Sequence, residues 1–207
     1  MPEAQPQDSL APQDARDLRS GMRVSLLSIA WTLVASAVSI TVGVRAGSLV
    51  LVAFGCTGFL DAAGSIALVV HFRHALKHEA FSEAHERVAF LVVNTGLVVV
   101  AVSTVAGSVG RLLARAHGHE STVGMVVAGA SIVVLGVLAR RKIILGRAIP
   151  SQALVADGIL SSTGAVLAVV TVVGTLLSAL GWWWADPVAA LVVAAGAFWV
   201  AVALARQ

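Results

Sequence analysis

The chain has 207 residues, 58% of them hydrophobic and only 12% charged, with a mean hydropathy of +0.91. Soluble domains are about 45–50% apolar and about 25% charged. The composition therefore excludes a soluble globular enzyme and a disordered chain, and the single cysteine, Cys56, excludes an intrachain disulfide scaffold.

Residues 1–22 are rich in Pro, Gln, Asp and Ala, contain no apolar run, and are expected to form a disordered cytoplasmic tail. The first apolar run follows this mixed-charge tail and is too long for the core of a signal peptide, so it reads as an uncleaved span. Apolar runs then follow at Val24–Val44, Ser48–Val70, Val88–Val109, Thr122–Ala139, Gln152–Leu180 and Trp184–Ala205. Each approaches or exceeds the ~20 residues that cross ~30 Å of hydrocarbon as a helix, the fourth being the shortest. Barrel strands would be about 10 residues long and alternating. The expected fold is an all-α membrane protein, a bundle of six transmembrane helices forming one transport domain over residues 23–207.

The net charge of +3 does not signal nucleic acid, because the basic residues punctuate the apolar runs and form no continuous patch. Arg16, Arg19, Arg23, Arg73, Lys77, Arg87, Arg140, Arg141, Lys142, Arg147 and Arg206 fall on one side, against Arg45, Arg111 and Arg115 on the other. This asymmetry puts both termini in the cytoplasm. Trp182, Trp183 and Trp184 then lie at the outer interface, where indoles favour the headgroup layer. The spacings Gly43/Gly47, Gly55/Gly58 and Gly107/Gly110 suit close helix packing.

Three acids remain in or near the spans. Asp61 and Asp157 lie within the second and fifth, where an ionised group costs about 2.5–3.5 kcal/mol on the insertion scale. With no Lys, Arg or His inside the six runs, neither has an ion-pair partner there. Each must be protonated and hydrogen-bonded, hydrated in a cavity, or bound to a cation. Thr57 is one helical turn from Asp61 and Ser161 one turn from Asp157, so the four offer oxygen ligands, two of them carboxylates. Asp186, before Pro187 at the start of the sixth run, reads as a helix N-cap. Cys56 faces about 100° away from Thr57 on a helix and reads as a packing residue.

His71, His74, His78 and His85 lie between the second and third runs. If the second helix continues into the cytoplasm, they form one stripe, near Glu79, Glu83 and Glu86. Imidazoles so placed suit a secondary metal-loading or sensing site, and equally a solvated amphipathic helix end. His117, His119 and Glu120 form a smaller cluster on the outer side.

Gly47-Ser48-Leu49, Phe54-Gly55-Cys56-Thr57-Gly58-Phe59-Leu60-Asp61, Ser151-Gln152-Ala153-Leu154-Val155-Ala156-Asp157-Gly158 and Trp184-Ala185-Asp186-Pro187 together resemble the six-span core of the cation diffusion facilitators. The resemblance covers about residues 23–205 and is nearest to small tailless members. It implies proton-coupled efflux of zinc or a related divalent cation by alternating access, in the plasma membrane, often as a homodimer. No cofactor is implied: the metal is cargo and the proton the counter-ion. The family pairs two ligands four apart on each of the second and fifth spans. Here those positions are Thr57 and Asp61, and Leu160 and Gly164, so only Asp61 carries over directly, with Asp157 matching an acidic position just before the second pair. An enzyme is not expected, since no intramembrane histidine base, Ser–Lys pair or His-Glu-x-x-His string occurs. The reduced ligand set leaves an alternative, a non-transporting membrane scaffold on the same fold.

Overall fold

The computed structural model describes residues 12–76, 83–115, 121–148 and 152–206, and among these the chain is helical with no strand. The helices are α1 (Pro12–Ala46), α2 (Leu49–Leu76), α3 (Glu83–Ala114), α4 (Thr122–Ala148), α5 (Gln152–Ala179) and α6 (Ala185–Ala205). All six contain segments long and apolar enough to cross a bilayer. In hydrocarbon a helix satisfies its backbone N–H and C=O groups within one segment, which is why these Val- and Ala-rich runs do not become strands. Short connections make successive helices antiparallel. The starts of α1, α3 and α5 and the ends of α2, α4 and α6 share one end of the bundle, called the terminal face below.

α2 is central, packing on α1, α3, α5 and α6, while α4 packs on α5 and α1. Val93, Leu97 and Ala101 of α3 meet Ala194, Ala197 and Ala201 of α6. Val50 and Ala53 of α2 meet Ala189, Ala190 and Val193 of α6. Outward-facing Val34, Val99, Val133, Val166 and Trp199 stay exposed, as expected of a surface solvated by lipid. Trp182 and Trp184 stack with ring centroids 5.4 Å apart at the α5–α6 connection.

Lipid tails are as apolar as the helices, so the bundle depends on close fit between small residues. Gly43, Gly55 and Gly58 all sit where α1 meets α2, whereas Gly110 has no neighbour that a side chain would meet, so the third glycine pair is not a packing pair. The α1–α2 turn uses Gly47 at φ +64°, with Ser48 N donating to the Gly43 carbonyl over 2.8 Å. This is the left-handed glycine stop common at helix ends.

Two boundaries differ from the sequence expectation. α1 begins at Pro12, inside the stretch 1–22 expected to be a disordered tail. Proline at the first helical position, followed by Asp14 and Asp17 near the positive end of the helix dipole, is a start signal that composition alone hides. α4 continues nine residues past Ala139, to Ala148. Its buried positions are Gly124, Ala128, Ser131, Leu135, Ala139, Lys142 and Gly146, an unbroken helical stripe that passes through the Arg140-Arg141-Lys142 run. Arg140 and Arg141 are exposed; Lys142 is fully buried.

Two glycines hold that part of the stripe against α5. A Cβ on Gly146 would stand 2.8 Å from the Val155 backbone nitrogen, and one on Gly158 would stand 3.1 Å from the Ala139 carbonyl oxygen. Both contacts are with backbone, which cannot swing aside. Gly158→Val is therefore expected to pry α4 from α5 and lower stability by about 1–3 kcal/mol, read as a fall in detergent unfolding midpoint. An unchanged midpoint would show that the close approach is not needed.

Candidate cation site

The close α4–α5 approach brings Lys142 against Asp157. The Lys142 Nζ lies 2.8 Å from Asp157 Oδ2 and donates to Ser28 Oγ at 3.0 Å and Ser161 Oγ at 2.9 Å. Its three N–H donors thus have three acceptors. Asp157 accepts in addition from Ser25 Oγ on Oδ2, at 3.1 Å, and from Ser65 Oγ on Oδ1, at 2.7 Å. Both charged side chains are essentially out of reach of solvent, at 0% and 2% exposure. The cluster draws on α1, α2, α4 and α5, and corrects the expectation that no basic group lies within the spans. Lys142 lies beyond the fourth apolar run, which ends at Ala139, but its place on the buried stripe of α4 brings it inside the bundle.

Ser25 and Ser28 begin a row of small buried polar residues along α1, continued by Thr32, Ser36 and Ser39. Spacings of three and four keep the row on one face, turned toward the bundle interior. Ser161 is also tied to its own helix, donating to the Asp157 carbonyl at 3.0 Å.

Asp61 is in a different setting. Ser65, four residues further along α2, sits on Asp157, so Asp61 lies about 6 Å along the helix from that contact. It lines a cavity of about 90 Å³ in the middle of the bundle, together with Thr57, Leu160 and Gly164. The four positions that the family resemblance singled out thus converge on one space. Ser36, Ser131 and Thr163 add hydroxyls to its wall, and the rest of it is mostly apolar. Asp61 Oδ1 is buried and has no hydrogen-bond partner among the described residues. A buried carboxylate oxygen in that condition costs free energy unless a cation, proton or water satisfies it. The Thr57 hydroxyl has its one O–H shared within α2 between the carbonyls of Ala53 and Phe54, both at 3.0 Å.

The expected four-oxygen set therefore falls into two neighbouring groups. Thr57 and Asp61 face the cavity; Asp157 and Ser161 hold Lys142. Among the described residues no group of three or more His, Cys, Asp or Glu side chains stands ready to hold a metal. Asn94 of α3, whose Oδ1 is also buried without a partner among the described residues, was not singled out from sequence, although an amide inside an apolar run is a signal of the same kind as Asp61.

Asp186 caps a helix, but not its own. It lies in the first turn of α6, and its carboxylate accepts from Ser48 Oγ and from the Leu49 backbone nitrogen, the latter at 2.8 Å, at the start of α2. Ser48 Oγ in turn accepts from Leu51 N at 3.3 Å. Arg111 of α3 donates to the Gly47 carbonyl and stands 3.9 Å from Asp186. These contacts tie α2, α3 and α6 together at the end opposite the terminal face. Asp186→Ala is expected to cost about 2 kcal/mol, the upper end for a lost cap, because it leaves two donors, Ser48 Oγ and Leu49 N, without their acceptor. A detergent melt within experimental error of the parent would contradict this capping role.

Of the loop histidines, His71 and His74 fall on the last two turns of α2 and His85 on the first turn of α3, while His78 lies outside the described residues. Since His85 belongs to the next helix, the four do not share a single stripe on a continuing α2. His117, His119 and Glu120 also lie outside the described residues.

Six helices long and apolar enough to span a bilayer, packed around a mostly apolar cavity that holds one acidic side chain, define a multi-pass membrane protein. The cation efflux transmembrane domain matches residues 25–207, and the chain belongs to that family. The domain that defines the family is the transmembrane part of cation efflux proteins. The chain is also similar to an uncharacterized transporter of Methanocaldococcus jannaschii, MJ0449, with 25% identity over 174 residues. That match covers 82% of this chain and 62% of the relative, so the chain spans about six-tenths of that protein's length.

Proposed function

We propose that this protein exports a divalent metal cation, zinc first among the candidates, in exchange for protons by alternating access across the plasma membrane. The observation that carries the reading is the unpartnered carboxylate oxygen of Asp61 in the central cavity. In this reading Asp61 and Thr57 receive the ion from the cavity side, and Asp157 and Ser161 complete its oxygen shell. Protons arriving from the outer side compete for the two carboxylates and release the metal outward. His71 and His74 near the end of α2 and His85 at the start of α3 are the candidates for a loading site at the cytoplasmic, terminal face. A homodimer is part of the same proposal and is tested by cross-linking in the membrane.

A second reading is supported by the same cluster. Asp157 is fully satisfied by Lys142, Ser25 and Ser65 without any metal, and Leu160 and Gly164 bring no ligand atoms, as in a scaffold that has lost its cargo. Isothermal calorimetry of zinc binding to the detergent-purified protein separates the two. Saturable binding that is lost in both Asp61→Asn and Asp157→Asn supports the exporter. Absence of binding in the parent and in variants that free Asp157 supports the scaffold.

A further inference from the structure

The ammonium of Lys142 occupies the position on Asp157 that a transported cation would have to take. It is fully buried, its three donors go to Asp157, Ser28 and Ser161, and no other basic side chain touches this cluster among the described residues. The pair is not needed to hold α4 on α5, because Gly146 and Gly158 already bring the two backbones into contact. Nor is it inherited from an apolar design, since leucine or methionine on the same stripe would pack without any charge to desolvate.

We propose that Lys142 is a built-in counter-ion: it neutralises Asp157 while the carrier is empty and is displaced when a metal cation binds. The proposal rests on the exporter reading above and adds to it the residue that governs competition at the site. An empty carrier that reoriented with a bare carboxylate would carry an uncompensated charge through the membrane. With Lys142 in place the Asp157 charge is cancelled, so a proton on Asp61 alone neutralises the metal-free site for its return, and that proton is the one exchanged for the metal. A metal ion entering from the Asp61 cavity takes over Asp157 and the Ser161 oxygen. The ammonium has somewhere to go. Lys142 lies six residues before the end of α4, about 9 Å from the terminal face, and its four-carbon stem spans much of that distance. The geometry also sets a threshold: a cation must bind better than a tethered ammonium at unit stoichiometry, which favours a divalent ion over a monovalent one.

The experiment is zinc titration by isothermal calorimetry of the full chain in detergent, comparing the parent with Lys142→Gln and Ser28→Ala. Gln removes the competing charge while keeping a donor toward Asp157. Ser28→Ala removes a hydroxyl that holds the ammonium and stands outside the proposed metal ligands, so it is expected to fold normally. If the metal-ready state without Lys142 on Asp157 is about 0.1–10% populated, Lys142→Gln raises zinc affinity by about ten- to a thousandfold. Losing one charge-assisted hydrogen bond raises it by about tenfold in Ser28→Ala. A purely structural Lys142 predicts the reverse, weaker binding in both. Zinc affinity unchanged or weakened in Ser28→Ala overturns the proposal even if Lys142→Gln does not fold. If the parent and both variants bind no zinc while remaining folded, the exporter reading fails instead.

Discussion

Asp61→Asn is expected to abolish zinc transport, lowering flux at least about a hundredfold, while the protein keeps its fold. Outer-shell changes at metal sites already cost about 10–100-fold in affinity or activity, and Asp61 is proposed as a direct ligand. The structural side of this expectation is equally specific. Asp61 Oδ1 has no hydrogen-bond partner among the described residues, and the side chain faces a cavity, so the isosteric amide breaks no ion pair and fills no new space. Loss of flux with an unchanged unfolding midpoint would therefore report chemistry. Equal flux in Asp61→Asn and the parent would remove Asp61 from the site.

Asp157 behaves in the opposite way. Lys142→Met leaves a carboxylate buried among Ser25 and Ser65, and Asp157→Leu leaves a buried ammonium, so each is expected to destabilise the bundle by about 3–5 kcal/mol. Replacing both is expected to recover most of that loss, because a buried pair exchanged for apolar groups of similar volume is often neutral or stabilising. The stranded serines can turn their hydroxyls to carbonyls of their own helices. Unfolding midpoints of the parent, both single variants and the double variant form the required cycle. Additive losses would mean that Lys142 and Asp157 stabilise the fold independently. The recovered double variant is still expected to transport nothing, which separates stability from function at this pair.

The two predictions also mark what the sequence makes legible. Six spans were readable from run length and low charge, and the membrane-facing surface of Val and Ala follows directly from them. Asp61 and Asp157 stood out because an acid in an apolar run has few reasons to be there. Their different fates were hidden, since each depends on a partner helix. The Arg140-Arg141-Lys142 run looks like the end of a span, and only the period through Ala128, Ser131, Leu135 and Ala139 turns Lys142 inward while its neighbours stay exposed. Applying that period past Ala139 would have located the lysine. Which acid it meets depends on Gly146 and Gly158 setting the α4–α5 approach, a contact that no local pattern reveals. Asp186 teaches the same lesson. Its proximity to Pro187 marks it as a cap, yet it caps α2, a helix more than a hundred residues earlier, through Ser48 and Leu49.

The family's paired ligand positions add a further contrast. Thr57, Asp61, Leu160 and Gly164 meet at one cavity, as the resemblance implies, but only the α2 pair brings oxygen. On α5 the acidic residue is Asp157, three residues before Leu160, almost one helical turn nearer the terminal face and in contact with Lys142.

The most direct test of export is zinc flux in proteoliposomes containing the purified chain, with a pH gradient imposed across the membrane. Zinc is expected to move against the proton flow, to stop when an ionophore collapses the gradient, and to be absent from vesicles carrying Asp61→Asn. Zinc movement that ignores the gradient would contradict proton exchange. A folded parent that moves neither zinc nor another divalent cation would contradict the exporter itself.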